Sequence, residues 1–244
     1  MSFSPQEVER YARHLVLAEV GGPGQQRLKA ATVLIVGAGG VGSPAALYLA
    51  AAGVGTLRII DGDTVSLSNL QRQILFDTAD IDLPKVEAAA GRLEAINPHV
   101  RVEALNRPLT ADNAASVVAG ANIVLDGTDD FETRYRVNTA CVAAGVPLVS
   151  GALGRWTGQV GVFVGKPCYR CLVPDSPPDA ETCARVGVVG ALAGVIGAMA
   201  ALEAIKLVTG AGEPLTGRLM LYDGLSATSR TVTVTADPAC PVCG

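Results

Sequence analysis

A glycine run, Gly37-Ala38-Gly39-Gly40-Val41-Gly42, is followed by a polar stretch from Asp61 to Lys85 that includes Asp63, Ser68, Asn69, Gln71 and Arg72. A G-x-G-x-x-G turn between a strand and a helix sets a phosphate against backbone N–H groups at the positive end of the helix dipole. Asp61, about 20 residues beyond the loop, is placed to accept hydrogen bonds from both ribose hydroxyls. Loop and acid serve NAD as well as ATP, because both carry ribose and phosphates. Arg72 and Lys85 separate the two. Arginine forks onto phosphate oxygens and lysine adds a compact charge to the same group. Taken singly each is as readily a surface charge; behind this loop they favour phosphoryl or nucleotidyl chemistry over hydride transfer.

Leu125-Asp126-Gly127-Thr128-Asp129-Asp130 closes another expected strand. In open parallel sheets ligands sit outside the carboxyl ends of the strands, so these acids belong near the nucleotide. A carboxylate there can hold Mg²⁺ between phosphate oxygens. We expect that role for Asp129, and a helix-capping or adenosine-side role for Asp130. Cys168-x-x-Cys171 and Cys240-x-x-Cys243 are two thiol knuckles with the spacing of a closed, structural Cys₄ zinc site. Cys141 sits on an apolar helix face and reads as core. Cys183 lies beside Arg185, which would lower its pKa; an inert, partly buried thiol is the competing reading. His14 and His99 read as bystanders.

These groups need a scaffold, and 244 residues suffice for one large α/β domain. Hydrophobic residues make up 49% and aromatics 4%, so the core must be aliphatic. A net charge of −4 speaks against a nucleic-acid or anionic-membrane partner. The apolar stretch Val186 to Ala201 is short for a membrane span, and we expect a helix buried in a core or subunit interface. Met1-Ser2-Phe3-Ser4 has neither basic nor apolar signal regions, which suggests a cytoplasmic protein.

Ser4-Pro5-Gln6-Glu7 starts a helix over about residues 5 to 17, and Gly-Gly-Pro-Gly at 21 to 24 reads as a break. Strands are expected at 32–36, 56–60, 100–105, 123–126 and 147–150. Helices are expected near 41–52, 84–96, 111–119 and 131–144. Such alternation predicts a mostly parallel Rossmann-like sheet covered on both faces. From residue 158 the pattern changes to antiparallel strands (158–164, 218–222, 230–235) around a helix at 188–209, with a loop at Pro174 to Pro178. We expect one nucleotide-binding domain, with an arm over 1–30, a core over 31–157 and an antiparallel, zinc-bearing region over 158–244.

Over essentially its whole length the chain resembles the HesA/MoeB/ThiF family of bacterial ubiquitin-activating-like enzymes. The residues that carry the likeness are R-Y-A-R at 10–13, the glycine loop, S-L-S-N-L-Q-R-Q at 66–73 and Pro84-Lys85. D-G-T-D-D at 126–130, C-Y-R-C at 168–171 and C-P-V-C-G at 240–244 complete it. The resemblance implies adenylation of the C-terminal glycine of a ubiquitin-fold sulfur carrier, MoaD- or ThiS-like, with MgATP. It assigns Gly40, Asp61, Ser68, Asn69, Leu70, Gln71, Arg72, Lys85 and Asp129 to the ATP·Mg site. It makes Arg13 reach the neighbouring subunit's phosphates in a homodimer, and allows Cys183 a covalent link to carrier or persulfide. The family often has D-C-T-D-N where this chain has D-G-T-D-D, so Asp130 replaces an asparagine.

Other functions compete: adenylation of another carboxylate such as a modified tRNA base, or an NAD-dependent oxidoreductase. The acidic charge speaks against the first; Arg72, Lys85 and the knuckles speak against the second. Molybdopterin and thiamin pathways both remain open. No rhodanese-like region follows the last knuckle, so a separate sulfurtransferase is expected.

Overall fold

The computed structural model describes residues 2–176 and 187–244. The described residues build one eight-stranded sheet in the order β3-β2-β1-β4-β5-β6-β7-β8. The first five strands are β1 (Thr32–Val36), β2 (Thr56–Asp61), β3 (Arg101–Asn106), β4 (Ile123–Asp126) and β5 (Leu148–Leu153), and they pair in parallel. Then β6 (Thr157–Phe163), β7 (Arg218–Asp223) and β8 (Thr228–Thr233) add on antiparallel. The expected change from parallel to antiparallel pairing is therefore present, with β8 two residues earlier than its sequence pattern suggested.

Both faces of the parallel half are covered, which is why β1 and β4 are apolar without alternation. Val33 and Ile35 of β1 join the core under Leu28, Leu49, Leu57 and Ile196. Leu34 and Val36 point the other way, to Val117, Val124, Val137 and Leu148. Successive side chains alternate sides, so one strand anchors both layers. The covering helices are α4 (Gly42–Ala52), α5 (Lys85–Ile96), α6 (Ala111–Val118) and α7 (Phe131–Ala144), with α8 (Tyr169–Leu172) short and α9 (Gly190–Thr209) long. By length and composition α9 could span a membrane. It instead packs on α3 (Gly21–Ala30), α4, β5 and β6, with Ile196 and Ala200 fully buried.

Two expectations about the arm need correction. The helix expected over 5–17 is two pieces, α1 (Pro5–Arg10) and α2 (Ala12–Leu15), parted at Tyr11. Tyr11 is 4% exposed, its hydroxyl accepts from Asn97 Nδ2 at 2.9 Å, and its ring lies over Gly53. Docking that ring sets the break. The Gly-Gly-Pro-Gly run is the start of α3 rather than a break. Gly21 turns at φ 55°, and Pro23 occupies the first helical turn, where a missing N–H costs no intrahelical bond. Of the loop expected at Pro174 to Pro178, residues 177 and 178 lie outside the described residues.

Candidate nucleotide site and cysteine cluster

Strand order reverses between β1 and β4, and the loops after β1, β2 and β4 open onto a cleft of about 700 Å³. This is the position where open α/β sheets bind ligands. The glycine loop forms one wall through Gly37, Gly39 and Gly40. Gly37 takes φ 89°, a left-handed conformation that only glycine adopts readily. A β-carbon on Gly42 would lie 1.9 Å from the Gly37 carbonyl oxygen, so Gly42 lets α4 start tight against the loop. Its contribution is packing; Gly42 does not line the cleft.

Asp61 closes the turn. The Ala38 N–H donates to Asp61 Oδ2 and the Asp63 N–H to Oδ1, each at 2.8 Å. Both carboxylate oxygens thus already hold backbone. Burial raises the Asp61 pKa, partly offset by the charge on Lys85 and by those two N–H groups. A raised value means the proton stays on to higher pH, so the acceptor form is lost as pH falls through it. We therefore expect ATP affinity to weaken on acidification from a point above the ordinary aspartate value of about 3.9. Asp61→Asn should be weaker throughout and lose that acid limb. Calorimetric ATP titrations between about pH 4.5 and 7 check this; an identical limb in the variant refutes it.

Lys85 starts α5 at the opposite wall. It is 5% exposed, and its Nζ lies 2.8 Å from Asp63 Oδ2. Arg72 is half-buried and donates from Nη1 to the Ser68 carbonyl at 3.0 Å. Asp63, Arg72, Lys85, Asp129 and Asp130 all line the same cleft as the glycine loop. Ser68, Asn69, Leu70 and Gln71 do not. Residues 67–69 form a 3₁₀ turn whose Asn69 carbonyl accepts from the N–H groups of Arg72 and Gln73. Their observable part is to aim the next two side chains.

The acidic loop is braced from behind. Asp126 is 1% exposed; it accepts from Thr128 N and Oγ1 and from Ser150 Oγ, and pairs with Arg134 at 3.5 Å. Arg134 also donates to the carbonyls of Thr128 and Gly151 and to Ser150 Oγ. Asp129 is left exposed to the cleft. Asp130 Oδ1 accepts from Thr133 N at 2.7 Å, the N-cap of α7. So the capping role expected for Asp130 is present, and an asparagine would serve it equally.

Arg134 and Gln73 are among the cleft residues that escaped the sequence reading. Arg134 stands one helical turn beyond Asp130, the i,i+4 spacing that shares a face, and that was its only signal. Gln73, next to Arg72, is 4% exposed with its Oε1 unpartnered.

The four knuckle sulfurs converge although the pairs are far apart in sequence: all four Sγ atoms lie within 4.8 Å of one another. Cys168 to Cys240 is 3.7 Å and Cys171 to Cys243 is 3.4 Å. A zinc ion with bonds of about 2.3 Å needs tetrahedral edges of about 3.8 Å, so the set fits a metal. Asn138 Nδ2 donates to Cys168 Sγ and the Asp237 N–H to Cys171 Sγ, both at 3.4 Å, as outer-shell groups do around ligand sulfurs. Burial alone would raise the Cys240 thiol. The N–H groups of Val242 and Cys243 and the neighbouring Cys243 and Cys168 thiols oppose it and hold that thiol below the ordinary cysteine value.

A model of the ThiF family matches residues 11–242. The chain belongs to the ThiF family. It is 47% identical to the sulfur carrier protein adenylyltransferase of Thermus thermophilus over 254 aligned positions, covering 100% of this chain and 93% of that protein. It is 46% identical to the molybdopterin-synthase adenylyltransferase of Escherichia coli, over 99% of this chain and 98% of that one. Among solved structures, Escherichia coli MccB with MccA-N7isoASN superposes with a TM-score of 0.85 at 25% identity, covering 96% of this chain and 75% of the other.

Within this ThiF-family chain the remaining expected site residues fall elsewhere. Arg13 is exposed on α2 and does not line its own chain's cleft. Cys183 lies outside the described residues. Cys141 is core: it is 2% exposed, and burial pushes its thiol up to about 12. The His14 ring is taken up by Gln25, with Nδ1 2.9 Å from Oε1.

Proposed function

We propose that the protein is an ATP-dependent adenylyltransferase acting on the C-terminal glycine carboxylate of a ubiquitin-fold sulfur carrier of the MoaD or ThiS type. The observation that carries this reading is the convergence of an anion-binding glycine loop, Arg72, Lys85 and the braced Asp129 on one cleft. The names of the Thermus and Escherichia coli relatives support the carrier as substrate, and the second supports the molybdopterin pathway.

The chemistry asks little of acids and bases. A carboxylate oxygen attacks the α-phosphorus, the α–β bridging P–O bond breaks, and pyrophosphate leaves with the electron pair. No proton moves, because the nucleophile is already ionised. The barrier is charge repulsion between a carboxylate and a polyanion. Arg72 and Lys85 offset it and stabilise the charge that develops at the α-phosphate. Asp129 is the residue that would hold Mg²⁺, whose chemistry is charge neutralisation on the phosphate oxygens. Asp61 and the glycine loop fix the ribose and phosphates. The cysteine set would hold Zn²⁺ in a closed structural site.

A second hollow of about 740 Å³ lies over the antiparallel strands and shares Ala152, Leu153 and Gln159 with the nucleotide cleft. A carrier tail laid along it would bring its terminal carboxylate to the phosphates. Arg13 acts in trans in a homodimer, which the exposed Val16, Leu17, Tyr48 and Leu202 support as apolar surface for a second copy. Free cysteines with metal spacing, rather than disulfides, support a cytoplasmic setting. Sulfur would then come from a separate sulfurtransferase.

The expected result is exchange of labelled pyrophosphate into ATP that depends on an added sulfur carrier. Purified protein that shows no exchange with any ubiquitin-fold carrier of its own cell would sink the proposal.

A further inference from the structure

The cysteine cluster and the nucleotide cleft share a wall. Tyr169 directly follows the ligand Cys168 and opens α8. Its N–H donates to Asn138 Oδ1 at 2.8 Å, and Asn138 Nδ2 in turn donates to Cys168 Sγ. Backbone and ring are therefore placed by the same knuckle. The ring is 2% exposed and is steadied edge-on by Phe163, with centroids 5.8 Å apart. Tyr169 nevertheless lines the nucleotide cleft. There the Arg134 guanidinium sits 6.0 Å from its ring centroid.

Arg134 is the brace described above. It holds the Thr128 carbonyl, one residue before Asp129, and the Gly151 carbonyl at the far wall. Ser150 Oγ and Asp126 hold that guanidinium from beneath, and Tyr169 closes it off from the cysteine side with both its ring face and its hydroxyl. A buried cation against a desolvated aromatic face is held by the ring quadrupole as well as by packing.

We propose that Tyr169 is a positioning residue through which metal occupancy of the cysteine cluster sets nucleotide affinity. A bound metal fixes Cys168, hence the Tyr169 ring, hence Arg134 and the Thr128–Asp129 loop. The coupling is reciprocal by thermodynamic necessity: if metal strengthens ATP binding, ATP strengthens metal binding by the same factor. The inference rests on the cleft being an ATP site.

The test compares wild type, Tyr169→Phe and Tyr169→Leu, each loaded with one equivalent of Zn²⁺. ATP·Mg²⁺ affinity is measured by calorimetry, and Zn²⁺ affinity by chelator competition with and without the nucleotide. In wild type, saturating ATP is expected to tighten zinc at least threefold. Tyr169→Leu should weaken ATP about tenfold, the loss of a desolvated cation–π contact, and should abolish the effect of ATP on zinc. Tyr169→Phe keeps the ring but loses the hydroxyl's contact with Arg134, and should lie between wild type and Tyr169→Leu in both readouts. A Tyr169→Leu protein with wild-type ATP affinity, or one in which ATP still tightens zinc, overturns the proposal. Wild type that binds no ATP rejects the nucleotide-site reading instead. Should Tyr169→Leu fail to fold, the wild-type zinc titration decides: zinc affinity unmoved by ATP refutes the coupling.

Discussion

Lys85→Met is expected to lower carrier-dependent pyrophosphate exchange by about 10²- to 10³-fold, the usual loss for one preorganised group that stabilises developing charge. The substitution keeps the aliphatic stem that lets a 5% exposed side chain fill its place at the start of α5. Its sole ion-pair partner among the described residues, Asp63, has a side chain 73% exposed and would be solvated once released. Folding should therefore survive, which makes the kinetic loss interpretable. A second consequence separates a charge role from a packing one. Lys85 is the main charge holding down the Asp61 pKa against burial. Removing it must raise that pKa further, so the acid limb of ATP binding should move to higher pH. Arg72 is not among the charges acting on Asp61, so it does not hold that pKa down in place of Lys85. Exchange reduced less than tenfold in a folded Lys85→Met protein would remove the residue from the proposed chemistry.

What was legible in the sequence follows from which constraints are local. The glycine loop is readable because close backbone approach at Gly42 and a left-handed turn at Gly37 tolerate almost nothing else. The parallel half is readable because strands covered on both faces lose their alternation, as β1 and β4 do. The cysteine cluster is readable because each knuckle is a local pair, although only the fold shows that the two meet. Where local signals carry two meanings, the structure departs from the sequence expectation. Glycine and proline at 21–24 mark a helix start as well as a break, and the choice depends on α3 docking beneath α9. Tyr11 interrupts the arm because of partners at Gly53 and Asn97. Arg134 and Tyr169 were missed for the same reason. An arginine in a helix and a tyrosine inside C-Y-R-C gain their roles only when α7 and α8 are brought to the back of the cleft. Arg13 differs again: by itself it is one more charge on a helix, its role comes only from the family resemblance, and within one chain it stands outside the cleft.

The other large effect belongs to the cysteines. Cys168→Ser should reduce bound zinc from one equivalent to nearly none and destabilise the protein by about 4 kcal/mol, since loss of a structural metal stands among the few single changes of that size. For a chain of this length that corresponds to a fall in Tm of about 8 to 16 °C. The reason is the connectivity of the site. Cys168 and Cys171 begin and end the turn of α8, and Cys240 and Cys243 belong to the segment that follows β8. With the metal gone, that segment keeps only scattered ties, such as the Val234 N–H to the Gly217 carbonyl and buried Val234 itself. Asn138, which is 1% exposed and anchors the Tyr169 N–H, would meet a shorter hydroxyl in place of the Cys168 sulfur. Cys141→Ala is the matched control. It removes a similarly buried thiol that lies outside the four-cysteine set. That variant should keep one equivalent of zinc and pay only for a small cavity. Metal content by atomic emission, read beside the melting curves, tests the pair. Full zinc in Cys168→Ser, or zinc loss in Cys141→Ala, would place the metal somewhere other than between the two knuckles.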